Sequence, residues 1–346
     1  MRAARFAGQG LPIEVTEVPD PSPGPGEVVV DVAACGVCAS DLHAIDGEVP
    51  LPVPPPLTMG HEAAGTIRAV GPDVPVWREG RRVALMMARP CLACDRCAAA
   101  EPEECLDLRL LGFHADGAWA EQVLVPWSSL AAVPDGVALE HAAIASDAVA
   151  TPLAALVDRG GLRPGERVGL WGIGGLGTHA VQLARLAGAA SVVAVDPLPA
   201  ARERALALGA DAAVDPSQED VPAAIRTAGG GRPLDLALDL IGRADAVKQA
   251  LLSLRPGGRV VMVGQSFERI GIGPAVAVSF RRLSVLGHLG YRKRHLEAVL
   301  DLLASGRLDL SASISERYPL DRVNEAVDRL RAKDGDPVRL VVLPTA

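Results

Sequence analysis

The sequence contains no block of basic residues and no long apolar run. Its 34 lysines and arginines are outnumbered by 42 acidic residues, which gives a formal net charge of −8. An acidic chain without a basic patch lacks the electrostatic footprint of nucleic-acid binding. No uninterrupted apolar stretch approaches the roughly 20 residues of a membrane-spanning helix. We therefore expect neither nucleic acid nor a membrane as a partner.

Signals for secretion are also missing. Residues 1–6 (MRAARF) lack the apolar segment of a signal peptide. The chain has only six cysteines, and four of them are spaced like metal ligands, which must stay reduced. These features predict a cytoplasmic protein.

Two kinds of pattern divide the chain, and the overall class is α/β. Up to about residue 145, strand-like stretches such as 27–34 and 82–87 alternate with loops, among them the proline-rich segment 51–57. From about residue 167, apolar strands alternate with Ala- and Leu-rich helices, which predicts a parallel sheet covered on both faces. At 346 residues, each of two domains can bury its own core.

Four cysteines follow the pattern C-x2-C-x2-C-x7-C; they are Cys91, Cys94, Cys97 and Cys105. Four thiolates this close in sequence can surround one zinc ion at Zn–S distances of roughly 2.3 Å. A disulfide cluster is the alternative interpretation. A closed four-cysteine site has no open coordination position, so it would stabilise a loop. Any catalytic metal would therefore be bound elsewhere.

The glycine-rich segment GIGGLG at 172–177 fits the pattern G-x-G-x-x-G. It follows a predicted strand, opens a predicted helix, and precedes Asp196 at the end of the next strand, which is the context of a dinucleotide-binding fingerprint. The residues predicted to approach the pyrophosphate are Gly172, Gly174, Gly175, Leu176 and Gly177. Asp196 can accept hydrogen bonds from the ribose hydroxyls and would repel a 2′-phosphate, which favours NAD over NADP. Arg202, six residues after Asp196, leaves that preference open. The alternative to a dinucleotide-binding segment is a glycine-rich turn that serves packing alone.

The segments CASDLH (38–43) and GHE (60–62) offer one thiol, two imidazoles and several carboxylates. A catalytic zinc needs three protein ligands and one open position. Cys38 and His61 are the first choices, because they accompany a separate four-cysteine site and a nucleotide fingerprint. Cys35 could also be a ligand, but we interpret it as a buried structural thiol.

Taken together, GVCASDLH (36–43), GHE, the cysteine quartet, GIGGLG and Asp196 resemble the zinc-dependent medium-chain alcohol dehydrogenases. The motifs occur in the order and spacing of that family, over essentially the whole chain. The resemblance implies a Rossmann parallel-sheet domain inserted into a β-rich, GroES-like catalytic domain, with the active site in the cleft between them.

The resemblance also implies domain boundaries. The catalytic domain would comprise residues 1–148, with a structural zinc lobe at 88–106. The NAD-binding Rossmann domain would comprise 149–286, and residues 287–346 would complete the catalytic domain.

The family pattern assigns roles to single residues. Cys38 and His61 would bind the catalytic zinc, with Asp41 orienting the histidine. Ser40 stands where the family has a hydroxyl on the substrate oxygen, and His43 where it has a histidine that passes the proton to solvent.

Two further positions correspond to cofactor contacts. Thr151 falls where a threonine packs behind the nicotinamide, and Arg339 matches a pyrophosphate-binding arginine. Ala39 replaces a basic residue that some members place against the cofactor phosphate, which makes Arg339 more important.

The third catalytic ligand is open at this point. The family often has a cysteine where this chain has Asp147, although some bacterial members have aspartate there. Glu62 stands where the family keeps an additional glutamate, which lies behind the ligands or exchanges with them. If Asp147 instead caps a helix predicted at 148–156, Glu62 becomes the ligand to consider.

These implications amount to an oxidoreductase with two zinc ions per chain, one catalytic and one structural. It would interconvert an alcohol and its ketone or aldehyde by hydride transfer, with NAD preferred over NADP. With only 3% aromatic residues, the cleft should be largely aliphatic, which suits secondary or cyclic alcohols. The alternatives are an NADPH-dependent carbonyl or activated-alkene reductase of the same superfamily and a non-enzymatic nucleotide-binding protein. A homodimer or homotetramer is expected.

Overall fold

The computed structural model describes residues 1–218 and 220–345. Its strands are β1 (Arg2–Phe6), β2 (Glu14–Glu17), β3 (Glu27–Val37), β4 (Leu57–Thr58), β5 (Glu62–Val70), β6 (Arg82–Leu85), β7 (Ala88–Arg89), β8 (Arg109–Leu110), β9 (Gln122–Pro126), β10 (Leu130–Ala132), β11 (Arg167–Trp171), β12 (Ser191–Val195), β13 (Ala212–Val214), β14 (Leu234–Asp239), β15 (Leu254–Met262), β16 (Ser284–Gly287), β17 (Ile314–Pro319) and β18 (Arg339–Leu343).

The α-helices are α1 (Ala39–Ile45), α2 (Asp95–Ala98), α3 (Leu139–Ile144), α4 (Ala150–Ala154), α5 (Gly177–Leu186), α6 (Pro199–Ala207), α7 (Val221–Ala228), α8 (Ala244–Ser253), α9 (Ala275–Arg281), α10 (Lys293–Ala304) and α11 (Val323–Ala332). Two π-helical turns, Ala145–Val149 and Ala155–Arg159, flank α4. None of the helices in the described residues combines the length and the apolar character that crossing a membrane requires.

The chain forms two compact units, of which the first comprises Met1–Ala150 and Gly290–Ala346. Its largest sheet has the strand order β10-β6-β5-β3-β18-β17, with β9 also paired to β3. The last strand of the chain, β18, lies antiparallel to β3, with Leu340 opposite Val37. The C-terminal segment therefore completes the sheet that the first part of the chain begins.

The long strand β3 lies inside this sheet, and eight of its eleven residues are buried. It pairs antiparallel with β5 in a register that sets Gly36 opposite Glu62. A side chain at Gly65 on β5 would put its Cβ 2.0 Å from the main-chain oxygen of Asp31, so the two strands approach closely only because glycine stands there. This register brings the end of β3 next to the start of β5.

The second unit, Thr151–Leu289, contains a six-stranded sheet in the order β13-β12-β11-β14-β15-β16. All of its strand pairs are parallel. The strand β12 (SVVAV) is buried along its whole length, as expected for a sheet with helices on both faces. The chain order reverses at β11, next to β14, which is the topological switch point of a Rossmann fold. The predicted fold class is thus confirmed.

The sequence predicts a helix at 148–156, and its predicted start is wrong. Helical structure begins at Leu139 and continues through the two π turns to Arg159. No glycine or proline interrupts the Ala-rich sequence before Pro152, so nothing ends the helix before Asp147. Asp147 therefore lies inside a helical run, and the alternative that it caps a helix is also wrong.

Candidate metal and nucleotide sites

Four candidate ligands meet at the junction of β3 and β5. Cys38 directly follows β3, and His61 directly precedes Glu62, the first residue of β5. Asp147 belongs to the π turn that packs against β5. One donor atom from each of these four side chains lies within 4.8 Å of the others.

The distances between the donor atoms fit a tetrahedral metal. Cys38 Sγ is 3.6 Å from Asp147 Oδ2, and His61 Nε2 is 3.7 Å from the same oxygen. Ligands bound to zinc at about 2.0–2.3 Å lie about 3.3–3.8 Å apart. His61 Nε2 is fully buried and has no hydrogen-bond partner among the described residues. A buried nitrogen that faces a thiol and a carboxylate in this way has the environment of a metal ligand.

Asp41 contacts both of the first two candidate ligands. Its Oδ1 lies 3.1 Å from His61 Nδ1, and its Oδ2 accepts a hydrogen bond of 3.0 Å from the main-chain N–H of Cys38. A proton held on Nδ1 by a carboxylate leaves the lone pair of Nε2 free to bind a metal. These contacts are the ones that the resemblance implies for Asp41, and its role at a metal stays a prediction.

The electrostatics of the cluster show an excess of buried negative charge. Burial lowers the pKa of His61, but the carboxylates of Asp41 and Asp147 outweigh this and hold the pKa well above its ordinary value. Burial raises the pKa of Cys38, and the positive charge of Arg339 reverses this, so that its pKa is lowered. A thiol with a lowered pKa beside two carboxylates is a donor set that a divalent cation would neutralise.

Arg339 lies against Glu62 rather than on the surface. Its Nη2 is 2.7 Å from Glu62 Oε1 and 3.7 Å from Cys38 Sγ, and only 3% of its side chain is exposed. Burial raises the pKa of Glu62 well above its ordinary value, although Arg339 opposes the shift. The ion pair draws the Glu62 carboxylate toward the arginine. The pyrophosphate contact of Arg339 stays a prediction.

Ser40 and His43 lie on one face of α1, three residues apart. Ser40 Oγ is 3.6 Å from Cys38 Sγ, so it lies beside the candidate metal site. His43 is partly exposed, and its Nδ1 lies 2.5 Å from Glu48 Oε2. Sequence reasoning missed Glu48, because no motif marks a carboxylate in the loop after α1.

The four remaining candidate ligands form a second cluster within the first unit. The sulfur atoms of Cys94 and Cys97 are 3.6 Å apart, those of Cys94 and Cys105 3.9 Å, and those of Cys91 and Cys97 4.0 Å. Four sulfurs bound to one zinc at roughly 2.3 Å lie about 3.8 Å apart. None of these cysteines forms a disulfide, so the disulfide interpretation is wrong.

Main-chain N–H groups donate hydrogen bonds to the sulfur atoms of this cluster, which stabilises negative charge on them. The N–H groups of Ala93 and Cys94 donate to Cys91 Sγ at 3.4 and 3.3 Å, and that of Cys91 donates to Cys105 Sγ at 3.2 Å. The main-chain amides of Leu106 and Cys97 lower the pKa of Cys94 to about 6. Amide donors around thiolates are the environment that a four-cysteine zinc site needs.

The glycine-rich segment lies between β11 and α5 in the second unit. Gly172 has a φ of +89°, a conformation that favours glycine, and a Cβ on Gly177 would lie 1.9 Å from the main-chain oxygen of Gly172. Gly174 has open space where its side chain would be. These are the features that let a backbone turn tightly and approach a pyrophosphate.

Asp196 directly follows β12 and is joined to the glycine-rich segment. Its Oδ2 accepts a hydrogen bond of 2.8 Å from the N–H of Ile173, and its Oδ1 accepts one of 2.9 Å from Leu198. Arg202 donates to the main-chain oxygen of Asp196 at 2.7 Å. The carboxylate and a guanidinium therefore both lie at the end of β12, where a Rossmann fold contacts the ribose.

Three further residues, Thr151, Cys35 and Phe113, are buried near the candidate sites or in the core. Thr151 is buried in α4 of the second unit, and Cys35 is buried in β3 with its thiol 3.6 Å from the main-chain oxygen of Gly36. Burial raises the pKa of the Cys35 thiol well above its ordinary value, consistent with a structural thiol. Phe113 packs against His61, with 5.4 Å between the ring centroids.

The comparisons with known proteins agree with this geometry. A family model described as the alcohol dehydrogenase GroES-like domain matches residues 24–135, and one described as zinc-binding dehydrogenase matches residues 175–305. An alcohol dehydrogenase of Geobacillus stearothermophilus is 35% identical over 331 residues, covering 95% of this chain and 96% of that protein. The chain belongs to the zinc-dependent medium-chain alcohol dehydrogenase family. It is thus an enzyme of the zinc-binding dehydrogenase class.

Other members of the family differ in substrate and cofactor. An L-threonine 3-dehydrogenase of Pyrococcus abyssi is 32% identical to this chain, covering 92% of each protein. The structure of a zinc-binding dehydrogenase from Sinorhizobium meliloti 1021, bound to NADP, superposes with a TM-score of 0.91, at 34% identity and 99% coverage of both chains. The family therefore leaves both the alcohol and the choice between NAD and NADP open.

Proposed function

We propose that this chain interconverts an alcohol and its ketone or aldehyde by hydride transfer with NAD(H) at a zinc site, and that the alcohol is secondary or cyclic. The observation that carries the proposal is the buried donor set of Cys38, His61 and Asp147. Three protein ligands leave a fourth position of a tetrahedral zinc for the substrate. The same chain carries a dinucleotide-binding loop, which is the other requirement of the reaction.

Asp147 is the third ligand in this proposal. Its Oδ2 lies within 3.7 Å of both Cys38 Sγ and His61 Nε2. Glu62 is paired with Arg339 at 2.7 Å, and its carboxylate would have to leave that guanidinium to bind the metal. Glu62 therefore stays beside the site, where it balances the charge of Arg339.

Zinc bound by these ligands supplies Lewis acidity, which lowers the pKa of an alcohol as it lowers that of water to about 7. Ser40, whose Oγ lies beside Cys38, would accept the proton of the substrate hydroxyl and release its own hydroxyl proton toward His43. His43, partly exposed and oriented by Glu48, passes the proton to solvent. Asp41 keeps His61 in the tautomer that binds metal. Cys91, Cys94, Cys97 and Cys105 bind the second, structural zinc.

NAD is the preferred cofactor in this proposal. The glycine-rich segment, including Gly174 and Gly175, approaches the pyrophosphate, and Asp196 accepts hydrogen bonds from the ribose hydroxyls. The negative charge of the Asp196 carboxylate would repel a 2′-phosphate beside it. Thr151 packs behind the nicotinamide. Arg339 would contact the pyrophosphate only by leaving its ion pair with Glu62.

A secondary or cyclic alcohol is favoured by composition and by a relative. Aromatic residues make up only 3% of the chain, which suits an aliphatic substrate cleft. The threonine dehydrogenase of Pyrococcus abyssi is named for oxidation at carbon 3, which bears a secondary hydroxyl. The partner of this enzyme is thus a small-molecule alcohol or carbonyl compound.

The chain is proposed to work as a homodimer or homotetramer in the cytoplasm. The helix α9 buries none of its residues, and Val276 and Phe280 on it are 72% and 87% exposed. Beside it, β16 forms an edge of the six-stranded sheet. An exposed apolar helix next to a sheet edge is typical of a contact with another copy. The six cysteines form no disulfide with one another in the structure, an arrangement compatible with the proposed cytoplasmic location.

A screen of alcohols at the nicotinamide absorbance tests the function. Secondary, cyclic and primary alcohols, a polyol and L-threonine are each offered with NAD⁺ and with NADP⁺. We expect turnover with secondary or cyclic alcohols and NAD⁺, and loss of turnover when a chelator removes zinc. Reduction of activated alkenes without any alcohol oxidation would instead support the reductase alternative.

A further inference from the structure

Tyr291 connects the returning C-terminal segment to the helical turn that carries Asp147. Its hydroxyl donates a hydrogen bond to the main-chain oxygen of Ser146, the residue before Asp147. Tyr291 is 7% exposed and lies just before α10, which packs against the same π turn. The contact joins residues 145 positions apart in the sequence and lies within the first unit.

The main-chain oxygen of Ser146 is in an unusual position because the helix is π-helical here. In an α-helix the N–H of Ala150 would donate to Ser146, four residues back. Here it donates to the main-chain oxygens of Ala145, five residues back, and of Asp147, three residues back. Such a wide turn is rare and shifts the hydrogen-bond register of the helix. A hydroxyl from another segment that donates to the Ser146 carbonyl stabilises this shifted register.

The shifted register determines where Asp147 points. An extra residue in a helical turn rotates the following side chains by about 100° relative to a regular helix. In the observed turn, Asp147 Oδ2 lies within 3.7 Å of both Cys38 Sγ and His61 Nε2. The hydroxyl of Ser146 itself donates to the main-chain oxygen of Ala143, in the preceding helix α3, at 2.7 Å. Ser146 thus takes part in two hydrogen bonds besides those of the helix, one through its main-chain oxygen and one through its hydroxyl.

We propose that Tyr291 is a positioning residue for the catalytic metal: its hydroxyl holds the π turn that aims the Asp147 carboxylate at Cys38 and His61. This proposal rests on the metal site of the proposed function. It does not involve Tyr291 in the reaction itself. Residues that orient metal ligands commonly change metal affinity or activity by about 10–100-fold when they are altered.

The variant Tyr291→Phe removes the hydroxyl and keeps the ring. The affinity of the catalytic site for zinc is measured by competition with a chelator, and cobalt substitution reports the geometry through its visible spectrum. We expect an affinity about 10–100-fold weaker and an altered cobalt spectrum, while the four-cysteine site keeps its metal. The matched control is Tyr318→Phe, which removes the only other tyrosine hydroxyl of the chain, one that contacts Glu316 at 3.0 Å.

The same Tyr291→Phe change, made in protein that already carries Asp147→Ala, separates a positioning role of Tyr291 from a general packing role. With Asp147→Ala already present, the weak affinity left at Cys38 and His61 is titrated with added cobalt, and Tyr291→Phe should not lower it further, because the ligand that Tyr291 positions is gone. Equal metal affinity in wild type and Tyr291→Phe, with unchanged cobalt spectra, would overturn the proposal while leaving the zinc site intact. Equal losses with and without Asp147 would also overturn it, in favour of a packing role. If the wild-type chain holds metal only at the four cysteines, this proposal and the proposed catalytic site both fail.

Discussion

Arg202 forms an ion pair with Asp215, with 3.2 Å between Nη1 and Oδ2. The same Nη1 donates to the main-chain oxygen of Asp196, so the guanidinium lies close to the residue expected to bind the ribose. A guanidinium is the group that typically accommodates a 2′-phosphate in NADP enzymes. In this chain Asp215 is paired with that guanidinium, which together with Asp196 supports the proposed preference for NAD.

The cofactor preference can therefore be changed in two steps. Asp196→Gly should narrow the preference for NAD⁺ by removing the repulsive carboxylate. Adding Asp215→Asn should release Arg202 and invert the preference, as measured by kcat/KM with NAD⁺ and with NADP⁺. Asp211→Asn, which alters the carboxylate paired with Arg185, is the matched control. A higher kcat/KM with NADP⁺ in the unaltered enzyme would refute the assignment.

Ser40→Ala should nearly abolish alcohol oxidation. The hydroxyl lies 3.6 Å from Cys38 Sγ, beside the proposed substrate position, and general acid–base groups contribute about 10²–10⁴-fold. Ser40→Thr keeps a hydroxyl and should retain activity. Steady-state kcat is the measurement, and full activity in Ser40→Ala would remove this residue from the proton path.

His43→Ala should slow oxidation mainly at neutral and lower pH. The imidazole is partly exposed, so water and buffer can replace part of its role, more readily when hydroxide is abundant. Glu48→Gln, which keeps His43 but weakens its orientation, should give a smaller effect. The pH profile of kcat tests this, and a uniform loss at every pH would speak for a structural role of His43.

The ion pair between Glu166 and Arg259 should stabilise the second unit at neutral pH. Protonation of Glu166 in acid should remove that stabilisation. Burial raises the pKa of Glu166, but hydrogen bonds from Arg259 outweigh this and lower it overall. A lowered carboxyl pKa stabilises the fold above the unfolded value of about 4.3 and loses that effect as the pH falls through the folded value. Glu166→Gln should cost about 1 kcal/mol near pH 7 and less below about pH 4. Thermal melting across this range is the measurement, and a constant difference between the two proteins would contradict it.

Phe280→Glu should convert the assembly to smaller species. If α9 contacts another copy, a carboxylate at this 87% exposed apolar position would be buried without a partner. The free energy of burying that charge would oppose association. Leu206→Glu, on the exposed side of α6, is the control. Sedimentation or light scattering gives the mass, and a monomeric wild-type chain would contradict the proposed assembly.

Features that depend on neighbouring residues were predictable from the sequence. The cysteine quartet and the glycine-rich segment each lie within a few residues, so spacing alone indicates what they can bind. The parallel sheet was also predictable, because apolar strands such as 191–195 alternate with helices. Cys38 and His61 could be paired only because their motifs resemble those of a known family.

Features that depend on distant residues were not predictable. Asp147 was expected near a helix start, but nothing in the Ala-rich sequence reveals a π turn, which depends on packing with α10. The contacts of Arg339 with Glu62 and of Tyr291 with Ser146 join the C-terminal segment to the first part of the chain. No local pattern marks such pairs, because tertiary packing alone brings them together.

The central claim is that zinc at Cys38, His61 and Asp147 supports alcohol oxidation, and metal content measured together with activity tests it most directly. Protein purified without chelator should hold about two zinc ions per chain. Asp147→Asn should lose one of them and most activity while the four-cysteine zinc stays, because an amide is a weaker ligand than a carboxylate. The control Asp31→Asn, at an exposed carboxylate of β3, should keep both ions and normal turnover. A wild-type chain that oxidises alcohols with almost no zinc, or an Asp147→Asn variant with two zinc ions and full activity, would contradict the account.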